Sequence, residues 1–338
     1  FNKGEEVFSW PKNFKNIPDE DWAQAPLESL ALKYDTVENH GWYKNLDNTV
    51  EQISQSIKGG EILLDYSGGT GILANRLLSH LGDSDLGILI VDSSPKFLRL
   101  AIEKLKEDPR VAFRLMNFIK AEKRLESLQE VIEDEIYKRG VDVISSTNAI
   151  HLYYNIRETL NSWKDILRPG GRVYVQSGNI RNPKASKDCW IIDESVIKIN
   201  EVAQKIVSSD KRFEKYRDSL KDEAYMKAHD DLREKYFLPV RDIDYYQNLF
   251  NEVGLKEVSC EHRSIEAHVD DWYEFINVYH EGVLGWVGGS KRITGKDCGP
   301  KCIEDRKILI KEAMKETFEG QDIFKAVWNY FIFEKKNL

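Results

Sequence analysis

The apolar run Glu61–Tyr66 (EILLDY) passes directly into Ser67-Gly68-Gly69-Thr70-Gly71 and then into the helical pattern Ile72–Leu81. A strand that ends in small residues and starts a helix within one turn predicts a parallel strand with a crossover helix, because an antiparallel partner would need only a hairpin. Gly69 and Gly71 supply the backbone freedom for a tight turn, and they leave open the space in which a ligand would approach the main chain. The helix N-terminus beyond adds free N–H groups and partial positive charge, which suit a carboxylate or a phosphate.

The same rhythm repeats downstream. Strands are expected at 61–66, 87–92, 111–116, 141–146 and 171–177, with helices at 72–81, 95–106, 121–138 and 156–167. Pro95 suits a first helical turn, and Arg168-Pro169-Gly170-Gly171 stops the last helix. After Asn179 the pattern becomes long, charged and helical to about 235; it then returns to a helix at 242–253 and a strand at 256–262. The predicted organisation is an N-terminal helical cap segment at 1–58, an α/β core at 59–180 and a helical lid insertion at 181–240. Core strands resume in 241–338, around a second helical insertion at about 269–318 and a final strand at 324–333. At 338 residues the chain has room for such a core with insertions.

Asp92 closes the second strand, ILIVD, roughly twenty residues after the glycine turn. A carboxylate placed there can accept hydrogen bonds from both hydroxyls of a ribose, so a nucleoside is implied. A net charge of −8 argues against a broad nucleic-acid surface, which needs clustered Lys and Arg. No apolar run reaches the length of a membrane span, about 18 residues. Four cysteines without a signal-peptide pattern fit the cytoplasm. Cys298 and Cys302 lack a second ligand pair, so no metal is expected. The first residue, Phe1, points to residues upstream, and nothing in the sequence sets an oligomeric state.

The order Leu64-Asp65-x-Ser67-x-Gly69-x-Gly71, then Val91-Asp92, then Val141-Asp142-Val143-Ile144-Ser145-Ser146, then Leu167-Arg168-Pro169-Gly170-Gly171 resembles the class I S-adenosylmethionine-dependent methyltransferases. The resemblance covers about residues 60–179 and implies a Rossmann-like, seven-stranded mixed α/β sheet with its last strand antiparallel. It implies S-adenosylmethionine as cofactor, with Asp65 orienting the methionine amino group and Ser67, Gly69 and Gly71 lining the site. Asp92, followed by Ser93, would hold the ribose; Asn117 and Phe118 would meet the adenine; Ser146 would stand near the methionine part. The family usually has Gly where this chain has Ser67. The spacing also departs from the dinucleotide fingerprint, since the acid Asp65 precedes the loop.

The implied reaction is methyl transfer to a small-molecule acceptor, with an O, N, S or C nucleophile left open by the motifs; a macromolecular acceptor and a non-catalytic scaffold are the alternatives. A base is needed where the acceptor carries a proton, and His is the usual choice near neutral pH. His151, in the loop after the fourth strand, is the first candidate, and His280 the second. Tyr154, Asn179, Arg181, Arg241 and Trp286 are the candidate acceptor contacts: Arg181 and Arg241 for their bidentate grip on anions, Trp286 for aromatic surface in a glycine-rich turn. The segment 34–43 resembles the family's cofactor-covering N-terminal stretch, with Trp42 or Tyr43 over the sulfonium.

Overall fold

The computed structural model describes residues 8–26 and 41–336. Seven strands form one sheet: β1 (Glu61–Tyr66), β2 (Leu86–Asp92), β3 (Val111–Leu115), β4 (Val141–Thr147), β5 (Leu167–Ser177), β6 (Leu255–His268) and β7 (Ile323–Lys335). Their order is β3-β2-β1-β4-β5-β7-β6. β1 pairs in parallel with β2 and β4, while β7 lies antiparallel between β5 and β6. This is the mixed sheet with a reversed last strand that the family resemblance implied.

β1 and β2 are buried on both faces, as strands covered by crossover helices must be. Their side chains alternate between two cores. Leu64 and Leu89 face one, with Trp163 and Phe250; Leu63 and Ile90 face the other, with Leu77 and Ala101. Helices α1 (Asn45–Ser56), α2 (Ile72–Leu81), α3 (Pro95–Leu105) and α4 (Ile156–Ile166) cover the sheet. Ser94 caps α3 by accepting from the Phe97 N–H at 3.3 Å, and Pro95 occupies its first turn.

One expected helix is absent. In place of the helix at 121–138, Arg124–Leu125 form a two-residue ladder with Phe118–Ile119, and two short helices follow, Leu128–Val131 and Asp134–Arg139. Ser127 and Glu130 form a capping box that starts a new helix there. Ile132 then breaks it in extended conformation, which buries its side chain, while the neighbouring Glu133 pairs with Arg114.

Both insertions are helical. The first carries α5 (Glu194–Ser209), a 3-10 segment and α6 (Glu223–Tyr236), followed by α7 (Ile243–Glu252) against the sheet; the second carries α8 (Val269–Val278) and α9 (Pro300–Thr317). They pack as one layer: Trp272 donates to Ser195 Oγ at 2.9 Å, Trp286 to Asn200 Oδ1 at 2.8 Å, and Tyr216 to Asp305 Oδ2 at 2.7 Å. The platform is a ladder of β6 and β7 that runs from Leu255↔Lys335 to His268↔Ile323, past the point where β7 leaves β5 at Asn329. Residues 34–40 of the expected cofactor-covering stretch lie outside the described residues. Among the described residues no helix is long and apolar enough to cross a membrane.

Candidate functional site

The strand order reverses between β1 and β4, and that switch point is where open α/β sheets place ligands. A cavity of about 870 Å³ lies there. The β1 turn, Asp92 and Ser93 at the end of β2, Phe118 after β3, and Thr147 and Asn148 at the end of β4 all line it. Phe118, Leu125, Leu152 and Tyr154 line it too while exposing much of their apolar surface, and Tyr154 is 99% exposed. Neither helical insertion contributes a wall among the described residues.

The turn's small residues serve three purposes. Gly69 has φ +57°, and a Cβ there would meet nothing within 4 Å, so its open side faces ligand space. Gly71, also read as a ligand approach, does other work: a Cβ would lie 2.9 Å from Leu105 Cδ1, so this glycine lets α2 pack on α3. At Gly68 a Cβ would come within 2.7 Å of Asp65 Oδ2 and 2.8 Å of Ile90. Ser67, in the family's usual glycine position, adopts φ +60°. Its Oγ accepts from Tyr153 Oη at 3.1 Å, and Tyr153 Oη also meets Ser146 Oγ at 2.7 Å. Ser146 itself is fully buried and reaches the cavity only through Tyr153.

Two carboxylates sit beneath this turn. Asp92 accepts from the Gly69 N–H at 2.9 Å and the Ser94 N–H at 2.7 Å, which brace it at the cavity wall; burial raises its pKa, and amide bonds oppose the rise. Asp65 is fully buried, and Ser145 donates to its Oδ1 at 2.9 Å. Its Oδ2 has no partner among the described residues, and burial pushes its pKa up to about 7. A buried carboxylate oxygen without a donor calls for one. Asp65 does not itself line the cavity and lies beneath Gly68, so it would act on a ligand's amino group through the turn, whereas Asp92 is on the lining and its oxygens keep acceptor capacity for a ribose.

The other expected residues divide sharply. Phe118 lines the cavity, whereas Asn117 turns its side-chain amide to Glu126 Oε2 at 3.0 Å. His151 lies off the lining, with Nδ1 3.0 Å from Ser177 Oγ and Nε2 3.1 Å from Asn179 Nδ2. The Asp193 N–H donates to Asn179 Oδ1 at 3.0 Å, which fixes the amide as a donor to His151. Nε2 therefore accepts, and the ring proton sits on Nδ1. Burial first, and the Arg241 charge second, lower the pKa of His151 to about 4, so the ring is neutral at pH 7.

Arg181 is bound by Asp242 at 3.0 Å and Glu194 at 2.5 Å, the ion-pair arrangement rather than an open anion grip. Arg241 stacks over the Tyr245 ring at 5.1 Å. Trp286 is wholly buried in the helical layer, and His280 stands beside Arg306 there at 3.4 Å; neither lines the cavity. Of the expected acceptor contacts, only Tyr154 reaches it. Tyr43, from the N-terminal stretch, lines it as well.

Sequence reasoning passed over Tyr153, Asn148 and the residues behind Asn148. Tyr153 stood beside two named candidates. Asn148 carried a recognisable signal, since an Asn just past a strand end tolerates left-handed backbone, and here its φ is +54°.

The sheet order, the turn and the braced Asp92 define a Rossmann-like class I fold of the S-adenosylmethionine-dependent methyltransferase type. Residues 64–173 match the family model of a methyltransferase domain, and the protein carries such a domain over that span. The chain is 26% identical over 171 residues to the mitochondrial 2-methoxy-6-polyprenyl-1,4-benzoquinol methylase of Schizosaccharomyces pombe, covering 47% of this chain and 53% of that protein. It is likewise 26% identical over 171 residues to a ubiquinone/menaquinone biosynthesis C-methyltransferase of Coxiella burnetii, covering 48% and 62%. The alignments thus span little more than half the length of these relatives. A solved S-adenosylmethionine-dependent methyltransferase from Geobacter sulfurreducens, in complex with S-adenosylhomocysteine, is similar with 13% identity and a TM-score of 0.44, covering 87% of this chain and 91% of that one.

Proposed function

We propose that the protein binds S-adenosylmethionine in the switch-point cavity and methylates a small molecule there. The observation that carries this reading is Asp92, braced by the Gly69 and Ser94 amides where a ribose would lie. Around it, Asp65 orients the amino end through the turn, Ser67, Gly69 and Ser93 line the chain of the cofactor, and Phe118 packs on the adenine. Bound there, the cofactor supplies an electrophilic methyl group, and the protein's part is alignment and exclusion of water.

A small acceptor is supported by the exposed apolar rim of the cavity and by the net charge of −8, which disfavours RNA. Both curated relatives are named for quinol or quinone methylation. His151, with both ring nitrogens bonded, is better suited to hold Ser177 and Asn179 in place than to take a proton. The two insertions form one helical layer that packs on β7 through Ala326, Trp328 and Tyr330.

Calorimetric titration tests the reading. S-adenosylhomocysteine should bind in the micromolar range and NAD should not, and Asp92→Ala should weaken binding by about tenfold or more, the scale of lost hydrogen bonds to a charged group. No binding, or an unchanged affinity in Asp92→Ala, overturns the assignment.

A further inference from the structure

Behind the β4 end of the cavity lies a cluster of three neutral amides and one indole, drawn from four parts of the chain. Trp328 of β7 donates its indole N–H to Asn148 Oδ1 at 2.8 Å. An indole N–H is a donor only, so the atom it meets is the amide oxygen, and the other end of Asn148 is its NH₂ group. One proton of that group has Asn45 Oδ1 as a distant partner at 3.4 Å, while Gln176 Nε2 donates to the same oxygen at 3.2 Å. The second proton of Asn148 Nδ2 has no partner among the described residues, and Asn148 lines the cavity.

Three features show that this orientation is built. Asn148 keeps a left-handed backbone at φ +54°, a conformation that persists where surrounding structure enforces it. Its N–H is tied to Gln176 O at 2.9 Å. Gly178 leaves the room the indole fills, since a Cβ there would lie 2.7 Å from Trp328 Cε2.

Among the described residues, the remaining lining offers no histidine as a base. Each lining carboxylate already accepts hydrogen bonds, Asp92 from two backbone amides, Glu126 from Asn117 and Glu158 from Asn155, and Lys123 brings an amine donor to the wall. Among the described residues, an acceptor that had to lose a proton would find no histidine at the cavity to take it. An oxygen that arrives ionised needs no base and is held best by an N–H donor.

We propose that Asn148 grips an anionic oxygen of the methyl acceptor, which is therefore a small apolar acid: a carboxylate or an acidic enol or phenol. Trp328 is the positioning residue that keeps the amide donor forward. The oxygen lone pair forms the new C–O bond, the electron pair of the broken S–C bond stays on the cofactor's sulfur, and the anion becomes a neutral ester or ether with no proton to remove. This rests on the cofactor reading above.

The test uses protein saturated with S-adenosylhomocysteine and two probes of one shape, 2-naphthoate and 2-naphthylamine, titrated by calorimetry at pH 7.5. Naphthoate should bind about tenfold tighter, the worth of one charge-assisted hydrogen bond. Asn148→Asp should abolish that preference with S-adenosylhomocysteine affinity within about twofold, a change below 0.5 kcal/mol. Trp328→Phe should erode the preference severalfold with cofactor affinity equally unmoved, an effect that a merely structural indole would not produce. Equal binding of the two probes, no binding of naphthoate, or an Asn148→Asp protein that loses S-adenosylhomocysteine instead of naphthoate overturns the proposal. Failure of the unaltered protein to bind S-adenosylhomocysteine marks the cofactor reading as the fault.

Discussion

Ser67 holds a conformation that its side chain opposes. At φ +60° a residue with a Cβ carries about 1–2 kcal/mol of steric cost that glycine avoids. The hydroxyl offers a return through Tyr153 Oη at 3.1 Å, and a hydrogen bond of this kind contributes about 0.5–1.5 kcal/mol net. Ser67→Ala keeps the strain and loses the bond, so it should destabilise the fold by about 1 kcal/mol. Ser67→Gly removes both terms while adding freedom to the unfolded chain, so its stability should stay within about 0.5 kcal/mol of the parent. Urea midpoints for the two variants decide the matter. An alanine variant as stable as the parent would mean that the hydroxyl does not offset the strain.

At the scale of elements, the glycines of one turn separate packing from binding. Gly71→Ala would push a methyl group into Leu105 and Ala101 of α3, at φ +77°, and should lower stability by about 2–4 kcal/mol through overpacking plus strain. Gly69→Ala meets open space, so only its left-handed φ counts against the fold, and the larger loss should fall on S-adenosylhomocysteine affinity. Denaturation and titration of the pair should give opposite rankings; a common ranking would contradict the division. What the sequence made legible follows the same line. The turn, Asp92 and the proline-started α3 are set by neighbours in the chain, and β1 falls at Glu61–Tyr66 as read. The helix expected at 121–138 failed because periodicity outweighed a capping box and the pull of Ile132 into the core. The amide cluster was illegible, since Trp328 and Asn148 are 180 residues apart and Gln176 and Asn45 are 131 apart. Arg181 misled for a related reason: an arginine at a sheet edge looks the same in sequence whether it meets a ligand or Glu194 and Asp242.

Across the whole molecule, burial has shifted four groups in two opposing pairs. His151 and His229 are lowered to about 4, both by burial first, with Arg241 charge acting on the former and Arg306 on the latter. Asp65 and Asp193 are raised to about 7, again by burial. Each histidine is protonated more readily when unfolded, so its contribution is complete above pH 6.5 and is lost as pH falls toward 4. Each aspartate is protonated more readily when folded, so its contribution is complete below pH 3.8 and is lost as pH rises through 7. Between about pH 4 and 6.5 the two pairs nearly cancel, and these four groups leave stability flat. Removing one member exposes the balance. Asp193→Asn deletes one descending contribution, so the stability of the variant relative to the parent should climb with pH across that window, by up to about 1.4 kcal/mol per pH unit. Urea denaturation of both proteins at pH 4.5, 5.5 and 6.5 reads the slope directly. A difference that stays constant with pH would mean that Asp193 is ionised in the folded protein throughout, and that the Asn179 amide beside it, which also holds His151, stabilises a buried charge more strongly than desolvation penalises it.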